Sequence, residues 1–344
     1  MHIRQRLALA CWCALVPASD LTAQSESPDP GPRSSFAQAG PEPRAHHQVV
    51  YHAGEARVYL VGGSTRRGDG YHYFDDIWAW NGRDWVEVSS LPFPRSSHRV
   101  VHHSARNSLI LFGGGFATAV RAEGVLWEWR NGQWKAIGGN FQAGLSEPGM
   151  CYDRRRERVV IFGGWDASAT YRGETWEWAG AGEDLAQVDS TGPRPRAGHA
   201  FLYDLSRQRC LLVGGRDAEG YLDDMWEWDG RSWHRLEARA PSARWFFGSA
   251  IDERRGHIVI FGGAGPDALR RGRDGTGDFG DTWAWDGEHW KQLSSEGPSA
   301  RGMAKLAFTG SGIVLFGGRM QTTEGFQDQH DTWELLGSTW VRRR

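Results

Sequence analysis

The sequence predicts an all-β fold in which six four-stranded antiparallel sheets stack around an axis as a β-propeller. Three observations carry this. Gly-Gly pairs recur at 62–63, 113–114, 163–164, 214–215, 262–263 and 317–318, at intervals of 51, 50, 51, 48 and 55 residues. An apolar run precedes each pair, as in Val58 to Val61 and Ile258 to Phe261. A tryptophan follows each pair by 11 to 20 residues: Trp78, Trp127, Trp176, Trp226, Trp283 and Trp333. A period near 50 marks a repeat architecture, whose single unit cannot bury its own faces and must stack on its neighbours.

The fullest copy, Pro193 to Leu236, fixes the elements of one unit. Arg196 and His199 open an extended segment ending at Tyr203-Asp204, and Asp204 to Arg207 reads as a tight turn. Cys210 to Val213 is a short apolar run without alternation, as in a strand covered on both faces. Gly214-Gly215 ends it where a positive φ or a close backbone approach excludes a side chain. Asp224-Met225-Trp226-Glu227-Trp228 alternates, so its two tryptophans share one side of a strand. Asp229-Gly230 is a hairpin signal, and Trp233 to Leu236 makes the fourth strand. Sixteen of the 19 tryptophans occupy such slots. Each buries roughly 150–250 Å², a gross contribution of about 4–6 kcal/mol. Trp12, Trp165 and Trp245 fall outside the slots and are not expected to pack between blades.

The pattern Arg-x-x-His, Tyr-Asp, apolar run, Gly-Gly, Asp-Thr-Trp-x-Trp, Asn/Asp-Gly, Trp resembles the kelch repeat. The resemblance covers 41–341, with blades at about 41–88, 92–138, 145–188, 192–236, 240–293 and 297–341. Repeat 3 departs from it at Leu145 and Pro148 and inserts Gly180 to Leu185. Repeat 5 has Phe247, and repeat 6 has Ala304, in place of the His. In kelch domains that bind peptides, the residue after Gly-Gly and the Arg opening the inner strand contact the ligand. The resemblance therefore implies such a role for Arg216 and Arg319, and for Arg44, Arg95, Arg196, Arg244 and Arg301. Galactose oxidase carries a similar propeller with copper on Tyr and His and a Tyr–Cys crosslink. Tyr71-His72-Tyr73 is the local hint of it here, and the cysteines offer no obvious crosslink donor.

Residues 1–23 read as a secretory signal: Arg4 and Arg6, an apolar stretch from Leu7 to Val16, and a cleavage point near Ala18 or Ala23. The stretch is too short to span a bilayer. Residues 24–40 read as a flexible linker. The chain is expected to be a monomer, secreted or periplasmic. A formal charge of −2 gives no electrostatic case for nucleic acid. Arginine dominates the basic residues, with lysine only at 135, 291 and 305. Cys151 and Cys210 lie near the same turn end of neighbouring blades, either bridged or as two buried thiols. Nucleophile-elbow, phosphate-loop and zinc signatures are lacking, and the histidines at 98, 102 and 103 have strand and turn spacing. Asp274, Asp278 and Asp281 do not fit a standard calcium loop. No metal or cofactor is expected.

Alternating strand direction puts the loops after Gly-Gly and those entering Arg-x-x-His on one face. Long loops on a rigid scaffold are where function concentrates. The candidate ligand residues there are Arg66, Tyr71, Arg121, Trp165, Tyr171, Arg216, Tyr221, Arg319 and Phe326, because aromatics beside arginines suit sugar stacking and carboxylate pairing. The expected function is non-catalytic binding of a glycan or an extracellular protein. The alternative is a carbohydrate-active enzyme resembling galactose oxidase or the sialic-acid mutarotase, with Arg216 or Arg319 beside Glu219 or Glu324.

Two repeats that break the pattern suggest a pairing rule. Val125 replaces the acid before the first Trp in repeat 2, and Leu145 replaces the opening Arg in repeat 3. Pairing between neighbouring blades puts both gaps at one contact. It predicts Asp76–Arg95, Glu174–Arg196, Asp224–Arg244, Asp281–Arg301 and Asp331–Arg44.

Overall fold

A computed structural model describes residues 40–115, 124–141, 144–180, 182–266, 277–322 and 324–344. The signal and linker segments, Arg121 and Asp274 lie outside the described residues. The structure is a six-bladed β-propeller. Blade 1 comprises Gln48–His52, Arg57–Arg67, Gly70–Trp80 and Trp85–Ser90, and blade 2 Ser96–His103, Ser108–Gly115, Gly124–Arg130 and Gln133–Phe141. Blade 3 comprises Gly149–Asp153, Arg158–Phe162, Thr175–Trp178 and Ala186–Asp189, and blade 4 Ala200–Asp204, Arg209–Arg216, Tyr221–Trp228 and Trp233–Arg239. Blade 5 comprises Gly248–Asp252, His257–Phe261, Thr282–Trp285 and Trp290–Ser294. Blade 6 comprises Lys305–Phe308, Ile313–Phe316, Thr332–Leu336 and Thr339–Arg342, with an added hairpin, Arg319–Thr322 and Gly325–Asp328.

The core is divided among the spaces between blades. Each apolar cluster joins two neighbours, as Ile110, Phe112, Met150, Ile161 and Trp178 join blades 2 and 3. Blade 6 meets blade 1 through Val49, Leu60, Trp80, Trp85, Val314 and Phe316. Every blade is built from one stretch of the chain, interrupted in blade 6 by the added hairpin, so the ring closes without strand exchange. Fourth-strand tryptophans tie blades 1, 4 and 6 to the blade before each. Trp85 Nε1 donates to Thr332 Oγ1 at 2.9 Å, Trp233 to Thr175 at 2.8 Å and Trp340 to Thr282 at 2.8 Å. Cys151 and Cys210 are free buried thiols packed between blades 3 and 4. Trp245 departs from expectation: it is 2% exposed, although it lies outside the repeat slots.

The Gly-Gly pairs are contacts between blades. The second glycine's N–H donates to the carbonyl of the strand-opening residue in the next blade. The six contacts are Gly63–Arg95, Gly114–Leu145, Gly164–Arg196, Gly215–Arg244, Gly263–Arg301 and Gly318–Arg44, at 2.8–3.0 Å. The first glycine has φ between +54° and +75° in all six pairs. A Cβ on Gly163 would lie 2.5 Å from the Arg196 oxygen.

The arginine side chains settle the pairing rule against neighbouring blades. Four of the five guanidinium groups fold back over the glycine turn of their own blade onto their own acid, and Arg95, whose blade has Val125 in place of the acid, donates to the Gly113 carbonyl of its own turn at 3.4 Å. Arg44 bonds Asp76 at 2.5 and 2.8 Å, Arg196 bonds Asp224 at 2.5 and 2.9 Å, and Arg244 bonds Asp281 at 2.9 and 3.0 Å. Arg301 bonds Asp331 in the same way. The turn carries no side chain, so the guanidinium can cross it and also donate to the first glycine's carbonyl, as Arg44 Nη1 does to Gly62 at 3.1 Å. The acid's second oxygen accepts from the following indole: Trp78 to Asp76 at 2.7 Å, Trp226 to Asp224 at 2.9 Å. Glu174, in the blade that lacks the Arg, takes Arg172 instead at 2.6 Å.

Two predictions follow from these contacts. Gly163 and Gly68 have nearly equal positive φ, +64° and +57°, but a Cβ on Gly68 meets nothing within 4 Å. Gly163→Ala should therefore lower stability by about 1–3 kcal/mol more than Gly68→Ala in urea titrations; equal losses would leave only the shared φ penalty. In double-mutant cycles, Arg196→Met should couple strongly to Asp224→Asn and not to Glu174→Gln. The single Arg196→Met change should cost about 3–5 kcal/mol, since it strands a mostly buried carboxylate.

Candidate ligand-binding face

The face bearing the post-Gly-Gly loops divides its candidate residues into two sectors. The residues directly after the glycine pairs are Ser64, Gly115, Trp165, Arg216, Ala264 and Arg319. Each pairs through its backbone with the residue after the strand-opening position: Ala45, Ser96, Ser146, Ala197, Trp245 and Gly302. Twelve positions thus encircle the mouth at fixed heights, and only their side chains differ.

Over blades 6 and 1 the buried arginine is neutralised by its own hairpin. Arg319 is 5% exposed. Its guanidinium bonds Asp328 at 2.7 and 3.1 Å and lies 5.5 Å above the Tyr71 ring. Asp328 also accepts from Thr65 Oγ1 at 3.0 Å and the Arg66 N–H at 3.2 Å. The Arg66 side chain is exposed and Phe326 half-buried. The strand-opening arginines Arg44, Arg95, Arg196, Arg244 and Arg301 are each at most 2% exposed. Their position beneath the mouth is that of structural groups.

Over blades 3 to 5 the arrangement is different. Trp165 sits edge-on to Tyr171, Trp245 and Phe246, with centroids 5.9, 6.3 and 6.0 Å apart. Trp245 stacks on Phe246 at 4.1 Å and meets Tyr221 at 6.1 Å. The Arg216 guanidinium lies between two of these rings, 5.1 Å from Tyr221 and 4.9 Å from Trp245. It has no ion pair among the described residues, and its buried Nε has no hydrogen-bond acceptor. Nearby carboxylates are committed elsewhere: Asp217 and Glu219 to Arg194, Asp166 and Glu174 to Arg172. Of the sequence candidates, Trp165, Tyr171, Arg216 and Tyr221 are therefore brought together. Trp245 and Phe246, which hold them in place, were not foreseen. The signal was an unusual Trp-Phe in the two positions after a strand-opening Arg.

Between blades 5 and 6 lies Asp278, one of the three aspartates whose spacing does not fit a calcium loop. Asp278 is buried; its Oδ2 accepts from the Gln321 N–H at 2.9 Å, and its Oδ1 has no hydrogen-bond partner. Burial raises its carboxyl from 3.8 to about 6, against the pull of the Gln321 N–H and Arg301. Asp281 is held by Arg244, so the two do not form a cation cage. No cluster of metal-ligating side chains occurs among the described residues. A comparison of the chain with protein-family models and with curated proteins finds no match.

The raised Asp278 value sets a pH dependence. The folded state holds this proton over a range where the unfolded chain has lost it, so stability falls as pH rises from about 4 through about 6. Asp278→Asn should remove that slope, and should make the protein more stable at pH 7 by about 2–3 kcal/mol. Denaturant midpoints at pH 4, 5, 6 and 7 read this directly; an unchanged slope in the variant would refute the assignment.

Proposed function

We propose that this chain is a kelch-type propeller that acts as a non-catalytic binding module in a secreted or periplasmic setting. Its ligand is a glycan carrying an acidic sugar, taken up by the aromatic sector over blades 3 to 5. One observation carries the reading: Arg216, an unpaired cation framed by aromatic rings at the mouth. An arginine without a carboxylate is the complement of an anionic ligand, and its planar fork suits a carboxylate held bidentately. The rings of Trp165, Tyr171 and Tyr221 offer faces and edges on which a sugar's C–H surface can lie. The extracytoplasmic setting rests on the pattern of residues 1–23.

The enzyme reading finds less support at the mouth. It needs a carboxylate poised beside the ligand-binding Arg. Glu219 is 79% exposed and bonded to Arg194, while Arg319 is bonded to Asp328 with Glu324 exposed at the tip of its hairpin.

A glycan array and calorimetry on the purified protein test this. Arg216→Ala should reduce affinity for acidic glycans at least tenfold and leave neutral glycans unaffected. Trp165→Ala should weaken both, with the melting temperature nearly unchanged, because Trp165 is only partly buried. Trp228→Ala, at a fully packed position, should instead cost about 3–5 kcal/mol of stability. Binding that survives at Arg216→Ala but fails on changes at Asn81 and Asp229 would place the ligand on the opposite face.

A further inference from the structure

The axial channel has a blind end, and its chemistry differs from that of the outer face. The third residue of each strand-opening segment is left-handed: His46, Ser97, Glu147, Gly198, Phe246 and Met303, with φ between +51° and +65°. This conformation turns each residue toward the axis, where the backbones join from blade to blade. The N–H of Ser97 donates to His46, Glu147 to Ser97, Gly198 to Glu147, Phe246 to Gly198 and Met303 to Phe246, at 2.6–3.4 Å. The side chains cross the axis: His46 Nδ1 lies 2.8 Å from Glu147 Oε1 and edge-on to Phe246 at 5.6 Å. Glu147, Phe246 and Met303 are each 1% exposed. The channel is thereby closed beneath the aromatic face.

On the other side of this ring is a cavity of about 240 Å³. Its far mouth lies among the tight turns, where Arg154 and Glu253 form an ion pair between blades 3 and 5 at 2.5 Å. Its inner end is lined by Lys305, Gln48 and Arg99. These three stand at one level, each paired with the residue just before a Gly-Gly: Phe316, Val61 and Phe112. At the same level the other three blades have Gly149, Ala200 and Gly248, which send no long side chain into the space. Three donors therefore stand on neighbouring blades 6, 1 and 2, facing open volume.

Two of the three donors have no acceptor among the described residues. Gln48 is 7% exposed and its buried Nε2 has no acceptor. Lys305 has no ion pair or hydrogen bond among the described residues. Arg99 has one carboxylate, Glu147, at 2.8 Å. Burial lowers the Lys305 ammonium to about 8, with Arg99 adding to the effect and Glu147 opposing it. His47, His98 and His199 nearby are held well below their ordinary range by burial and the adjacent arginines, so they are neutral at pH 7. At this blind end two cations, Arg99 and Lys305, face one carboxylate, Glu147, which His46 also bonds, together with an unmet amide donor. Farther toward the turns the walls become apolar, with Val100, Met150, Phe201, Ala250 and Ala307.

We propose that the blind end of the axial channel binds a small organic carboxylate, held by Lys305, Gln48 and Arg99, with its compact apolar body directed toward the turn face. The volume suits this class: cavities of about 150 Å³ accept benzene. The site is separate from the Arg216 sector, since the ring of left-handed residues lies between them.

Benzoate is the probe. Calorimetry and thermal unfolding of the full chain at pH 7 should show saturable benzoate binding with a rise in Tm, and no such effect from benzamide or from sodium chloride at equal ionic strength. Lys305→Met and Gln48→Leu should each weaken benzoate binding at least tenfold, while Arg216→Ala leaves it unchanged. If either variant fails to fold, the benzoate–benzamide contrast in the parent chain still decides. Absence of saturable binding overturns the proposal, and so does equal binding of benzamide. Retained affinity in both channel variants, or loss of binding on Arg216→Ala, would also overturn it, the last by placing the anion on the outer face.

Discussion

The rest of the structure depends on the contact between the second glycine of each pair and the strand-opening carbonyl of the next blade. It occurs six times, and the last instance joins Gly318 to Arg44 across the seam. Two backbones approach there as closely as hydrogen bonding allows, and a methyl group on the first glycine would strike the accepting oxygen. The same opening residue then supplies the second restraint. Its guanidinium reaches back over the bare turn to the carboxylate of its own blade, which also holds an indole N–H. One residue thus ties its blade to its neighbour through its backbone, and secures its own sheet through its side chain. Leu145 shows that the two roles separate. Its carbonyl still accepts from Gly114 at 2.9 Å, while Arg172 supplies the missing charge to Glu174.

A frame fixed this way leaves few positions free to vary in chemistry, and they fall into two rings. Residues following Gly-Gly and their backbone partners face the outer mouth. Residues at and just below the left-handed turns face the axis. Arg216 stands in the first ring and Lys305 in the second, and both are cations without a carboxylate of their own. Arg319 shows the alternative outcome: in the same slot as Arg216, it is neutralised by the hairpin that follows it. The difference between a structural and a candidate ligand-binding arginine is therefore made by the next loop.

The blade count, strand order and division of faces were legible in the sequence because each is written six times in phase. The partner of each strand-opening Arg was not. Absences at Val125 and Leu145 fit pairing between blades, but what decides the matter is that a side-chain-free turn lets a guanidinium cross its own sheet. Trp245 was hidden because it stands where other repeats carry alanine, serine or glycine. Lys305 was hidden behind strand periodicity. Its only mark was chemical, a lysine at the start of an inner strand in a chain that uses arginine almost everywhere else. Of the outer-face candidates, Trp165, Tyr171, Arg216 and Tyr221 converge. Their spacing of about 50 residues reflects two neighbouring blades at equal height.

Native-state hydrogen exchange of six amides tests the central claim most directly: Gly63, Gly114, Gly164, Gly215, Gly263 and Gly318. If the glycine-to-carbonyl contacts hold the ring, these N–H groups exchange only through global opening, at one common free energy, and Gly318 at the seam is as protected as the rest. Exchange at Gly318 or any other of the six that is orders of magnitude faster than in the central strands would contradict the account.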